Sequence, residues 1–141
     1  MSTLYAVSPK VLRAFTVFMI PSVGERMRQL ALVGSPKAHR KLVGALAHFS
    51  GFRSEFVISA RPQLNFRDEV LRLANMRGLT SECDVLSENP VLDGRASDFS
   101  ELFEKVSGAG FGTLAVIDAE QLAFFEGEEP HSTLILMRRT S

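Results

Sequence analysis

The chain has 141 residues, 45% apolar and 23% charged, and its 16 basic and 16 acidic side chains give a formal net charge of zero. That length and composition suit one ordinary soluble domain that buries a core without covalent staples. A single cysteine, Cys83, excludes an internal disulfide, and nothing argues for an oxidising compartment.

Eleven phenylalanines stand against one tyrosine and no tryptophan. This bias points to core packing, because stacking or binding surfaces favour the amphipathic rings. The zero net charge conceals a split. Residues 1–77 hold 12 basic and 4 acidic side chains, a net of +8, and residues 78–141 hold 4 and 12, a net of −8. Either one half binds an anion, or the halves neutralise each other within one fold or between two copies.

In chain order, the first apolar run, Ala14 to Ile20, is bounded by Arg13 and Pro21. It is shorter than the roughly 20 residues a bilayer span needs, and "IPSVGERM" makes a poor cleavage site. A cytoplasmic protein with no membrane partner is the expectation. Ser8-Pro9 opens a helix through Val11, Leu12 and Phe15, although Thr16, Val17, Phe18 and Ile20 suit a strand equally well. Val23 to Leu32 favours helix. Ser35-Pro36 is a cleaner start, an N-cap followed by proline at the first helical position. Ala38, Leu42, Ala45, Leu46 and Phe49 then share one face, with Gly51 as the stop.

Beyond residue 55 the pattern changes. Phe56 to Ile58 reads as a short buried strand, and Asn65 with Asp68 and Glu69 opens a helix that Gly78 closes. Cys83 to Ser87 is a second strand, followed by the loop "ENPVLDGRAS". Asp98 caps another helix, with Glu101 at capping-box spacing. Thr113 to Ile117, Leu122 to Phe125 and Thr133 to Met137 form an antiparallel meander. The expected architecture is one α/β (or α+β) domain over residues 1–141. A mainly helical part (1–52) precedes a mixed part (55–141), whose β-α-β-α-β portion is parallel and helix-covered.

The glycines of "SGAGFG", Gly108, Gly110 and Gly112, resemble a phosphate loop only in composition. Phosphate loops run strand, glycines, helix, because the helix N-terminus supplies free N–H groups. This one runs helix, glycines, strand, so Gly108 reads as a helix stop. If the first three strands are parallel, their carboxyl ends gather Arg61, Glu88, Asn89, Asp93, Arg95 and Asp118 at one edge. Arginine forks there suit an anionic ligand, and the carboxylates acid–base work. Asn89-Pro90 and Asp93-Gly94 are equally ordinary turn chemistry.

His39 and His48, nine residues apart on one helix, differ by about 180° in direction and cannot chelate one metal. No His or Cys pair has metal spacing, and neither a metal nor another cofactor is expected. Arg26, Arg28, Lys37, Arg40 and Lys41 form a basic patch on the N-terminal helices, without any nucleic-acid-binding signature.

Three functions stay open. The first is a cytosolic accessory or regulatory protein that binds another protein or a second copy of itself, through the opposed charges and the apolar segment Val11 to Ile20. The second is a small-molecule binder or enzyme at the strand edge. The third is an electrostatic nucleic-acid binder. Whether the protein is an enzyme is undecided at this level.

Overall fold

A computed structural model describes residues 6–58, 65–129 and 133–138. Three helices come first, α1 (Pro9–Phe18), α2 (Pro21–Val33) and α3 (Pro36–Gly44), each with proline at its start. The Ser8 and Ser35 hydroxyls accept from the Val11 and Ala38 N–H groups at 3.2 and 3.1 Å, so α1 and α3 begin at the Ser-Pro pairs. A 3-10 turn leads into β1 (Val57–Ile58). Then follow α4 (Phe66–Met76), β2 (Glu82–Ser87), β3 (Ala96–Asp98), α5 (Phe99–Val106), β4 (Thr113–Asp118), β5 (Leu122–Glu126) and β6 (Thr133–Met137).

The six strands form one sheet in the order β1-β6-β5-β4-β2-β3, and every paired neighbour is antiparallel. The meander β4-β5-β6 is as expected; the parallel β-α-β-α-β part is not. The correction has a physical reason. Strands joined through α4 (β1 and β2) and through α5 (β3 and β4) do point the same way, yet neither pair is adjacent. β2 lies between β3 and β4, and β4, β5 and β6 lie between β2 and β1. The missing piece is β3, three residues hidden in the polar stretch after β2. It returns the chain antiparallel to β2 before α5 starts.

Both sheet faces are covered, so the central strands are apolar throughout instead of alternating. On one face α1, α2 and α3 pack over Leu86, Leu114, Val116, Ala123, Phe125 and Leu136. On the other, α4 and α5 pack over Cys83, Val85, Ala115, Ile117, Phe124 and Ile135. The consecutive Phe124 and Phe125 thus point into different cores. Phe124 meets Phe99 edge-on at 5.3 Å, and Phe125 meets Phe52 at 5.0 Å. The phenylalanine bias is therefore core packing. Val11, Ala14, Phe15, Val17 and Phe18 are buried under α2 and against the sheet, so the apolar N-terminal segment is core and not a free surface.

The glycine cluster is structural. Gly108 and Gly110 adopt φ of +72° and +78°, in the left-handed region that glycine enters without steric penalty, and Gly108 ends α5. Gly112 serves close approach: a Cβ there would lie 2.6 Å from the Leu46 carbonyl carbon and 2.8 Å from the Ala47 nitrogen. Both are backbone atoms and cannot swing aside. Gly112→Ala is expected to lower stability by about 2 kcal/mol, as overpacking does. Gly44→Ala, with no atom within 4 Å of the added methyl, is expected to be neutral or stabilising. Urea denaturation of the two variants checks this, and equal effects would contradict it.

Candidate functional site

The structure separates the residues grouped at one strand edge by sequence. Glu88, Asn89, Asp93 and Arg95 lie on or beside the turn between β2 and β3. Asp118 lies at the far end of the sheet, because antiparallel pairing sets Ser87 of β2 opposite Thr113, the first residue of β4. Arg61 falls outside the described residues. Asp118 makes a turn, its Oδ1 accepting from the Glu120 N–H at 2.9 Å, and the Asn89 side chain accepts from the Val91 N–H at 3.0 Å. Arg95 is exposed, and its carbonyl accepts from the Val85 N–H.

Asp93 is different. Its Oδ1 accepts from the Ser87 N–H at 3.0 Å, and its Oδ2 lies 2.5 Å from His39 Nε2. The two side chains are only 10% and 14% exposed, so this contact works with little solvent screening. His39 comes from α3, where Ala38 and Leu42 form the inward stripe and set its ring toward the sheet. Gly94, at φ +76°, turns the chain tightly behind Asp93, and its N–H donates to the Val85 carbonyl at 2.9 Å. One carboxylate therefore ties the helical layer to the end of β2. In the sequence His39 was weighed as a metal ligand and not as the partner of Asp93. The available signal was its place beside the buried stripe of α3.

A cavity of about 230 Å³ opens at this pair. Ala6 to Pro9, on the approach to α1, form one wall, and Asp84 to Leu86 of β2 with Gly94 and Ala96 form another. Asp84 and Leu86 sit two apart on β2, and Leu86 belongs to the core beneath α1–α3, so Asp84 faces the same side. Asp84 is half-buried, and among the described residues its carboxylate makes no hydrogen bond or ion pair. The site thus holds a carboxylate-anchored imidazole and a second, uncommitted carboxylate. An imidazole held in one orientation by a carboxylate is the arrangement that general acid–base chemistry uses. Cys83 takes no part. It faces the opposite core, donates to the Ser97 carbonyl at 3.3 Å, and burial pushes its pKa up to about 12, which leaves no thiolate at neutral pH.

Beyond Ser87 a polar row crosses the sheet in register: Ser87, Thr113, Glu126 and Thr133. The Ser87 and Thr113 hydroxyls are 2.8 Å apart, and Thr133 donates to Glu126 Oε1 at 3.3 Å. Glu126 is 8% exposed, and its Oε2 is buried without a hydrogen-bond partner among the described residues. Burial raises its pKa, opposed by hydrogen bonds from Thr133 and the Gly108 N–H. At the adjoining rim, Glu88 accepts from the Gly112 N–H at 2.7 Å, and His48 lies 2.6 Å from Glu129. Glu88 also has a raised pKa, first through burial and then through the neighbouring Glu128. Among the described residues, no group of three or more His, Cys, Asp or Glu side chains is placed to hold a metal ion. Within the same residues, no helix is long and apolar enough to cross a membrane.

The raised pKa of Glu126 gives a signed pH dependence. Its folded-state pKa exceeds its unfolded value near 4.3, so the protonated carboxyl is accommodated at acid pH and the charged form opposes folding at higher pH. Glu126→Gln is expected to melt about 2–4 °C above the parent at pH 7. The gap should close as pH falls to about 4. A gap that is constant with pH, measured by thermal unfolding across that range, would contradict the assignment.

No protein-family model, curated protein or solved structure matches the chain.

Proposed function

We propose that the protein binds a small polar molecule in the cavity between α1, α3 and β2, and that His39 and Asp93 act on it as an oriented acid–base pair. The observation that carries this reading is the His39–Asp93 contact, 2.5 Å long, with both side chains largely removed from solvent at a cavity wall. A purely structural ion pair gains nothing from an adjacent cavity or from the uncommitted Asp84. The volume, about 230 Å³, lies below the roughly 300 Å³ at which pockets for drug-sized ligands begin. Asp84 favours a ligand with an ammonium or other N–H group, whose charge-assisted hydrogen bond that carboxylate would accept.

The test uses simple probes. Ethylamine, glycine and guanidinium at millimolar concentration are expected to raise the melting temperature and to shift the His39 ring resonances, while acetate is not. Asp84→Asn should abolish the amine effect with the fold intact. Absence of any amine response in the parent protein, or its persistence in Asp84→Asn, would remove the reading.

The helical layer supports another role, binding of a macromolecule in an accessory or regulatory capacity. Residues 8–45 hold seven Lys and Arg side chains against one acid, Glu25. Some of the charge split is settled within the fold, where Arg13 meets Glu120 at 2.8 Å and Arg67 meets Glu104 at 3.6 Å. The cations of α2 and α3 are left over from that neutralisation.

A further inference from the structure

The outer surface of α2 and α3 carries a cluster of cations. Arg26, Arg28, Lys37, Arg40 and Lys41 are all exposed. Among the described residues only Arg28 has an acidic neighbour, Glu25 at 3.6 Å, itself exposed and shared with Gln29. In the same surface stand Leu32 and Val33, consecutive aliphatic side chains 55% and 62% exposed. They occupy the last turn of α2, just before Gly34 reverses the chain in a left-handed conformation and α3 begins. The corner between two basic helices therefore projects an aliphatic pair.

This combination selects among polyanions. Binding to a nucleic-acid backbone comes from phosphate neutralisation and has no use for exposed aliphatic side chains. An anionic bilayer surface uses both, with cations at the headgroups and the aliphatic corner in the acyl boundary. We infer that the α2–α3 face docks on an anionic lipid surface, with Leu32 and Val33 inserted and Arg26, Arg28, Lys37, Arg40 and Lys41 at the headgroups. This is peripheral attachment, compatible with the lack of a spanning helix among the described residues. It rests on the macromolecular role proposed above and makes that partner specific; it is independent of the cavity.

The experiment is vesicle co-sedimentation of the full chain. Vesicles containing roughly one-third phosphatidylserine should pull the protein down, and pure phosphatidylcholine vesicles should not. Binding should weaken as salt rises past physiological strength. Removing one cation, as in Arg40→Gln, should weaken it about fivefold, following the contribution expected of each basic residue near such a surface. The Leu32→Ser/Val33→Ser pair should reduce binding while leaving its salt dependence and the thermal unfolding of the protein unchanged. Equal binding to both vesicle types, or no effect of the aliphatic pair, would overturn the lipid assignment. Tighter binding to a short DNA duplex or to an acidic polypeptide than to the anionic vesicles would also overturn it while leaving the macromolecular role standing. Failure to bind any of these polyanions at low salt would remove both.

Discussion

The contact between His39 and Asp93 is the constraint on which the candidate site depends. Asp93 accepts from the backbone where β2 ends and meets a ring that belongs to α3. The carboxylate thereby fixes the β2–β3 turn, the seating of α3 on the sheet, and the wall of the cavity between them. Charge-assisted hydrogen bonds contribute about 1.5–3 kcal/mol. Loss of one partner from a buried pair costs about 3–5 kcal/mol, because the other charge is left without compensation. Asn89 and Gly94 already shape the turn, and the pair stands at the wall of a cavity beside Asp84, which is the reason for reading it as functional.

The rest of the fold supplies the rigidity this needs. An antiparallel sheet covered on both faces has two cores, and adjacent residues of β5, Phe124 and Phe125, anchor one each. The edge strand β3 is only three residues long, which limits the unpaired backbone it offers to other chains. The polar row from Ser87 to Thr133 interrupts the apolar strands at one end only, next to the turn that carries Asp93.

The elements themselves were largely legible in the sequence. The Ser-Pro starts of α1 and α3, the Asn65 and Asp98 caps and the apolar runs of β2, β4, β5 and β6 all depend on local chemistry, which a single sequence displays. Strand direction was not legible, because continuous apolar runs such as Leu114 to Ile117 mark burial on both faces and are shared by parallel sheets and by covered antiparallel ones. The three residues of β3 carry no strand signal, and without them the order of the sheet cannot be deduced. The same error displaced the site. Parallel strands would have gathered Asp118 with Asp93, whereas antiparallel pairing sends it to the other end. Asp93 was singled out for its position, and its pairing with His39 was out of view because the two are 54 residues apart. Spatial pairing over that separation leaves no periodic trace.

The charge split divides in a similar way. Arg13 and Arg67 find acids of the C-terminal half, and the cations of α2 and α3 face outward. The cavity and the basic face are separate features, joined by α3, which contributes His39 inward and Lys37, Arg40 and Lys41 outward. The most direct measurement of the central claim is a double-mutant cycle on His39→Ala and Asp93→Ala, read by urea unfolding at neutral pH. It cancels the separate bond from Ser87 to Asp93 and isolates the pair. A coupling energy above about 1.5 kcal/mol is the expected result. Additivity within about 0.5 kcal/mol would mean that the two side chains do not hold each other, and the account of the site would fail.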